Sequence, residues 1–176
     1  ENGIWSLADE VGIIYEYRFD ENGCVVTGWY EESGKKYYYD TNGRSIKNSV
    51  VQIDDAYFGF NDMGQQYVDC EFEQDGNNYR AKQDGTLYVN EWCESSSSKY
   101  YYGEGGVAYT GVKEIEGDIY YFSYWEGMQI NIEITENGVR YYFGADGKLE
   151  WKLDISSDGW KKENDGWYYV QDEQIL

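Results

Sequence analysis

The sequence of 176 residues predicts an all-β repeat fold, about eight stacked β-hairpin units of 20–21 residues each. Three observations predict it. Glycines recur at Gly23, Gly43, Gly64, Gly85, Gly106, Gly127 and Gly147, and a unit of this length cannot bury its own apolar face, so it stacks on copies of itself. Counted from each glycine as position zero, an aromatic residue stands at minus six in every unit and at minus four in most, a spacing of two that places both on one face of a strand. Asn22-Gly23, Asn42-Gly43, Asp84-Gly85 and Asp146-Gly147 supply the residues that accept a positive φ in tight turns.

The elements run in chain order. Residues 1–28 make an irregular first unit, as expected of a repeat that caps a stack. The minus-six column then reads Tyr17, Tyr37, Phe58, Tyr79, Tyr100, Tyr121 and Tyr141, and an eighth copy with Gln174 at zero adds Tyr168. The minus-four column reads Phe19, Tyr39, Phe60, Ala81, Tyr102, Ser123, Phe143 and Val170. Each unit is expected to run strand, turn, short strand. A second turn is expected about nine residues before zero, at Gly34, Gly76, Gly117 and Gly138. The run Ser95–Ser98 stands in for that glycine in one unit as a flexible turn. Gly147 and Gln174 are too far apart for one unit, so 148–159 reads as an insertion, a loop that re-aims the terminal hairpin 160–176. The whole of 1–176 is expected to be a single repeat domain. The minus-six column, filled in every unit, reads as the structural spine.

Composition agrees with such a stack. Aromatics make up 19% of the chain, with 21 Tyr, 7 Trp, 21 Gly and no Pro, and large rings cover a thin stack of hairpins better than layered aliphatics do. The formal net charge is −20, with 14 basic against 34 acidic residues and no His. That excess of carboxylates argues against nucleic acid and against an anionic membrane surface. No stretch reaches the apolar length of a membrane span and no leader peptide is legible, so the chain reads as a mature or excised fragment. The odd count of Cys24, Cys70 and Cys93 makes no disulfide framework. Burial as free thiols is the preferred reading, a Cys70–Cys93 bridge the alternative.

Without His there is no Ser-His-Asp or Cys-His machinery, and no zinc or calcium spacing is present. The carboxylates are scattered through polar turns rather than gathered in a cleft, which speaks against a glycosidase pair. No enzyme, no cofactor and no metal are expected.

Aligned in this register, Gly28-Trp29-Tyr30-Glu31-Glu32-Ser33-Gly34-Lys35-Lys36-Tyr37-Tyr38-Tyr39-Asp40-Thr41-Asn42-Gly43 and Gly159-Trp160-Lys161-Lys162-Glu163-Asn164-Asp165-Gly166-Trp167-Tyr168-Tyr169-Val170 carry a family resemblance. The chain resembles the cell-wall-binding repeat superfamily of Gram-positive bacteria, which includes choline-binding, glucan-binding and clostridial toxin repeats. The resemblance implies a β-solenoid with about three units per superhelical turn. In the choline-binding subtype it also implies cages between successive hairpins, where aromatic faces attract a quaternary ammonium. Those cages use a Trp at minus 14, a Trp at minus seven and an aromatic of the next unit. At minus 14 the chain has Trp29, Trp92 and Trp160, and at minus seven Tyr57, Tyr120 and Trp167. The sharp reading is two like sites, Trp29/Tyr57 and Trp92/Tyr120, with Trp160 and Trp167 together in a last unit that no further unit closes. The plain reading is that these rings close the core.

The expected function is a non-catalytic module that attaches a secreted, extracellular bacterial protein to its cell wall. The partner would be choline-bearing teichoic acid or an extracellular polysaccharide, bound with no insertion into a membrane. The alternative is a structural or adhesive stalk that spaces another domain, or a module that forms a homodimer through its terminal hairpin, with no small ligand.

Overall fold

The computed structural model describes residues 3–95, 98–163 and 166–176. Its strands form eight antiparallel hairpins: β1 (Gly3–Ala8) with β2 (Ile14–Phe19), β3 (Gly28–Glu32) with β4 (Lys35–Tyr39), β5 (Ser49–Ile53) with β6 (Ala56–Phe60), β7 (Glu71–Gln74) with β8 (Asn77–Arg80), β9 (Glu91–Glu94) with β10 (Lys99–Tyr102), β11 (Gly111–Ile115) with β12 (Asp118–Ser123), β14 (Ile132–Glu136) with β15 (Val139–Phe143), and β17 (Gly159–Glu163) with β18 (Gly166–Gln171). A third strand is added to the last three of these sheets by β13 (Gly127–Met128), β16 (Leu149–Asp154) and β19 (Gln174–Ile175). The chain divides into two compact units. The first runs to Asn90 and includes Gly103–Val107, and the second comprises Glu91–Tyr102 and Ala108–Leu176.

The two turn columns exchange the roles that the sequence suggests. The hairpin turn is the column before the aromatic strand: Ser33 and Gly34 join β3 to β4 with φ of 52° and 72°, the paired positive φ of a type I′ turn whose twist suits the strands. The zero glycine instead closes a loop after the aromatic strand. The Asp40 side chain accepts the amides of Asn42 and Arg44, both at 2.8 Å, while Gly43 N donates to Asp40 O at 2.9 Å. Beyond that loop the chain makes a single bridge rather than a short strand, as in Tyr39 with Ser45 and Phe60 with Gln66.

That bridge segment fastens one hairpin to another. In the first unit Ser45 N donates to Glu16 O at 2.8 Å, Gln66 N to Lys36 O at 2.9 Å and Leu87 N to Tyr57 O at 2.9 Å. The glycine beat has a packing cause beside its backbone one. A Cβ on Gly43, whose φ is +77°, would stand 2.3 Å from Val25 Cγ2, an atom of the preceding loop.

The minus-four column is the buried one. Tyr39, Phe60, Ala81, Tyr102, Phe143 and Val170 are almost fully enclosed, whereas most of the minus-six residues are only half-buried. In the first unit Tyr79, Ala81 and Leu87 gather Val50, Tyr57, Phe72 and Val89. In the second, Ile115, Tyr120 and Phe122 gather Trp92, Tyr101, Tyr109 and Met128, and Leu153, Ile155 and Val170 gather Tyr168 and Ile175.

Two departures from the sequence register bear on the site. In β12 the inward pair is Tyr120 and Phe122, not Tyr121 and Ser123. The turn from Phe122 to Gly127 holds one residue more than the turn from Phe60 to Gly64, so the glycine ruler reads this strand one place out. The expected loop at 148–159 is also corrected. Within it, β16 pairs along β15 and sends Leu153 into the core, and Ile155 N then donates to Gly138 O at 2.8 Å.

Of the serine run, Ser96 and Ser97 lie outside the described residues. Ser95 N bonds Ser98 O at 2.8 Å and Ser98 N bonds Ser95 Oγ at 3.1 Å. Asn164 and Asp165 also lie outside the described residues. Cys24 is exposed, Cys70 half-buried and Cys93 buried, all three as free thiols, so burial describes Cys93 and not Cys24.

Candidate functional site

Two aromatic clusters share one construction. In β3 and β4, Trp29 lies directly opposite Tyr38, and in β9 and β10, Trp92 lies directly opposite Tyr101. Opposed residues on one face are the closest cross-strand neighbours, and rings placed so prefer edge-to-face contact. Both pairs meet in that way, with centroids 5.2 Å apart and planes at 69° and 77°. Each Trp then reaches two rings of the following hairpin. Trp29 meets Phe58 at 4.9 Å and 74° and Phe60 at 5.9 Å and 38°. Trp92 meets Tyr120 at 5.1 Å and 76° and Phe122 at 5.9 Å and 36°.

The structure therefore brings Trp92 and Tyr120 together but does not bring Trp29 to Tyr57. The counterpart of Tyr120 is Phe58, the next residue along β6, because the extra residue in the turn before Gly127 displaced the count. Adjacent strand residues face opposite sides. Tyr57 accordingly packs on the cluster of Tyr79, Ala81 and Leu87.

Around each Trp the polar residues also match. Trp29 is followed two places on by Glu31 and Trp92 by Glu94, and the partner strands carry Lys36 and Lys99 opposite those carboxylates. Lys99 Nζ stands 4.6 Å from the centroid of the Trp92 ring and bonds Glu94 Oε1 at 2.7 Å. Beside Trp29, which is 42% exposed, a cavity of about 260 Å³ is lined by Tyr30, Glu31, Lys36 and Gln66. These companions were missed from the sequence. The signal for them was the local repetition of Trp-x-Glu followed by Lys-Tyr-Tyr-Tyr, at 29–39 and again at 92–102.

Trp160 and Trp167 sit on one face of the last hairpin. Trp160 is opposite Tyr169, with centroids 5.3 Å apart at 70°, and Trp167 is opposite Lys162, whose Nζ lies 5.8 Å from its ring centroid. Both indoles are largely exposed.

Other positions between hairpins are filled by the chain's own side chains. The buried Arg18 guanidinium lies 4.3 Å from the centroid of Tyr30 and holds both carboxylate oxygens of Glu32, at 3.0 and 2.7 Å. Burial works against that charge, but hydrogen bonds to Tyr39 and Glu32 outweigh it and raise the pKa of Arg18 above its ordinary value. Phe72 fills a second such place, stacked on Tyr67 with centroids 4.0 Å apart and on Tyr79 at 5.4 Å. The Trp29 and Trp92 clusters differ from these in leaving an indole half-open beside a carboxylate and an ammonium group.

Such a surface stacks a flat, weakly polar ring and offers donors and acceptors at its rim. It is poorly suited to a quaternary ammonium at Trp92, since Lys99 already holds a cation over the indole and like charges repel.

Three stretches of the chain, residues 27–45, 134–149 and 158–173, match the cell wall binding repeat family. The chain is 25% identical over 199 residues to glucosyltransferase-I of Streptococcus downei, covering 97% of this chain and 12% of that protein. It is 28% identical over 158 residues to glucosyltransferase-S of Streptococcus mutans, covering 88% of this chain and 9% of that protein. The chain thus spans about a tenth of the length of the curated relatives it matches. Among solved structures it resembles CbpJ from Streptococcus pneumoniae, with a TM-score of 0.67, 17% identity, and 100% and 65% of the two chains covered. It also resembles choline binding protein F from Streptococcus pneumoniae, with a TM-score of 0.63, 21% identity, and 97% and 58% covered. The likeness to these structures establishes the fold, an all-β solenoid of repeated hairpins.

Proposed function

We propose, from the premise that this chain is built of cell wall binding repeats, that it is a non-catalytic module holding an extracellular bacterial protein on a polysaccharide of the cell wall or its surroundings. The observation that carries this reading is the recurrence, at Trp29 and Trp92, of one aromatic cluster with an indole flanked by a carboxylate and a lysine. Duplicated binding modules gain avidity on a polymer, so two weak platforms on one chain suit a repeating glycan. Lys99 over Trp92 favours a neutral sugar ring there in preference to choline. Trp160 and Trp167, open on the last hairpin, extend the same surface chemistry.

The test is tryptophan emission titrated with soluble glucan and, separately, with choline chloride. Saturable quenching by glucan that falls by about half in Trp92→Ala and is abolished in Trp29→Ala/Trp92→Ala supports the proposal, each indole being one of the two platforms. Quenching by choline alone would replace the glycan with a teichoic acid ligand. No response to either, together with a homodimer in sedimentation, would overturn the proposal in favour of a structural stalk.

A further inference from the structure

We infer that the second unit carries a separate sugar-binding site on the strand that the 148–159 segment adds, away from the Trp29 and Trp92 clusters. Its floor is the face of the β14–β15–β16 sheet. Register places Glu133, Tyr142 and Trp151 in one row across the three strands, and Thr135, Arg140 and Leu153 in the next. Tyr142 stacks against Trp151, their planes 16° apart and their centroids at 5.9 Å, and so backs an indole that is 40% exposed. Trp151, Leu153, Glu133 and Arg140 of this sheet, with Tyr168 and Ile175 of the last hairpin, line a cavity of about 330 Å³. That volume lies at the small end of the range for ligand pockets.

The polar groups suit hydroxyls. Arg140 directs both Nε and Nη2 to the same carboxylate oxygen of Glu133. Glu133 and Arg140 both line the cavity, and the other oxygen of Glu133 and Nη1 of Arg140 take no hydrogen bond among the described residues, which leaves an acceptor and a donor on this pair. Adjacent hydroxyls of a pyranose present the complementary donor and acceptor, while its C–H face lies flat on an indole. A quaternary ammonium finds no free carboxylate here, because Glu133 is already paired with Arg140. None of the three stretches that match the repeat family includes Trp151. The site joins the added strand's indole to Arg140 and Tyr168 of the matched repeats.

The test is fluorine NMR of the intact chain labelled with 5-fluorotryptophan, its resonances assigned by single Trp→Phe variants. It is titrated with isomaltotriose, maltotriose, triacetylchitotriose and choline chloride in turn. A saturable shift of the Trp151 resonance with at least one of the sugars, retained in Trp29→Ala/Trp92→Ala and weakened at least tenfold in Arg140→Gln, is the expected result. Glu133→Gln is expected to weaken it in the same way while circular dichroism stays unchanged. A Trp151 resonance that none of the sugars moves, or that choline moves instead, overturns the inference. The Trp29 and Trp92 resonances in the same titrations report the polysaccharide module separately, so either reading can fail alone.

Discussion

Substituting Gly59 by Ala should destabilise the first unit, although Ala is the better strand residue. Gly59 carries no positive φ, so its backbone asks for nothing that Ala lacks. On intrinsic grounds alone the change should stabilise by roughly 0.5–1 kcal/mol. The obstacle is Phe72: a Cβ on Gly59 would stand 2.2 Å from its Cζ, 2.8 Å from Cε2 and 3.0 Å from Cε1. Carbon contacts settle near 3.5–4.0 Å, so the ring would have to retreat by more than about 1 Å. Tyr67, stacked at 4.0 Å and 12°, and Tyr79, at 5.4 Å and 17°, block that retreat. Overpacking of this kind costs about 1–3 kcal/mol. Set against the intrinsic gain, the net effect is a loss of up to about 2.5 kcal/mol, or up to roughly 10 °C in midpoint for a chain of this length. Thermal unfolding followed by circular dichroism measures it, and the decisive comparison is the same substitution made in Phe72→Ala. With the ring gone, Gly59→Ala should become neutral or stabilising, giving a coupling energy of about 1–3 kcal/mol. A loss of equal size in both backgrounds, or none in either, would refute the packing argument.

Two further expectations rest on other contacts. Gly23→Ala and Gly43→Ala form a matched pair, since both glycines have nearly the same positive φ, +78° and +77°, but a Cβ meets nothing within 4 Å at Gly23 and meets Val25 Cγ2 at 2.3 Å at Gly43. Both should lose the roughly 1–2 kcal/mol of a left-handed Ala, and Gly43→Ala about 1–3 kcal/mol more, as read by chemical denaturation. Asp84 gives a pH expectation. The Thr86 hydroxyl, donating to its carboxylate at 2.7 Å, and the Thr86 amide hold its pKa below the ordinary value. A folded pKa below the unfolded one stabilises at pH above the ordinary carboxylate value of about 4, and the gain disappears as pH falls through the folded pKa. Thr86→Val should therefore raise the Asp84 pKa in a carbon-13 titration and lower stability at neutral pH. The difference from the parent protein should close in acid.

The fold was legible because its causes are local. The spacing of two between Tyr37 and Tyr39 or Phe58 and Phe60 marks a strand face without any knowledge of what that face meets. The zero glycines from Gly43 to Gly147 mark positions where both the backbone and neighbouring atoms exclude a side chain, whereas at Gly23 the backbone alone does. Which of the two aromatic columns is buried was not legible, because depth in a stack depends on the neighbouring hairpins. The Trp positions of the candidate site were legible from their recurrence, whereas their partners were only partly so. One added residue between Phe122 and Gly127 shifts Tyr120 from an outward position to an inward one, since side chains alternate at every step and a slip of one reverses the face.

By itself, then, the sequence determined that this protein is a stack of aromatic hairpins and where its repeated indoles fall. Both come from periodicity, which survives without coordinates. Only the tertiary structure decided that Phe58 and not Tyr57 meets Trp29, that Arg18 and Phe72 fill two of the places between hairpins, and that 149–154 is a strand completing a sheet. These contacts join one hairpin to the next, or a strand to an open sheet edge. They are fixed by how one hairpin lies on its neighbour and by which strand edge is left to be paired, and neither is encoded in the spacing of any single unit.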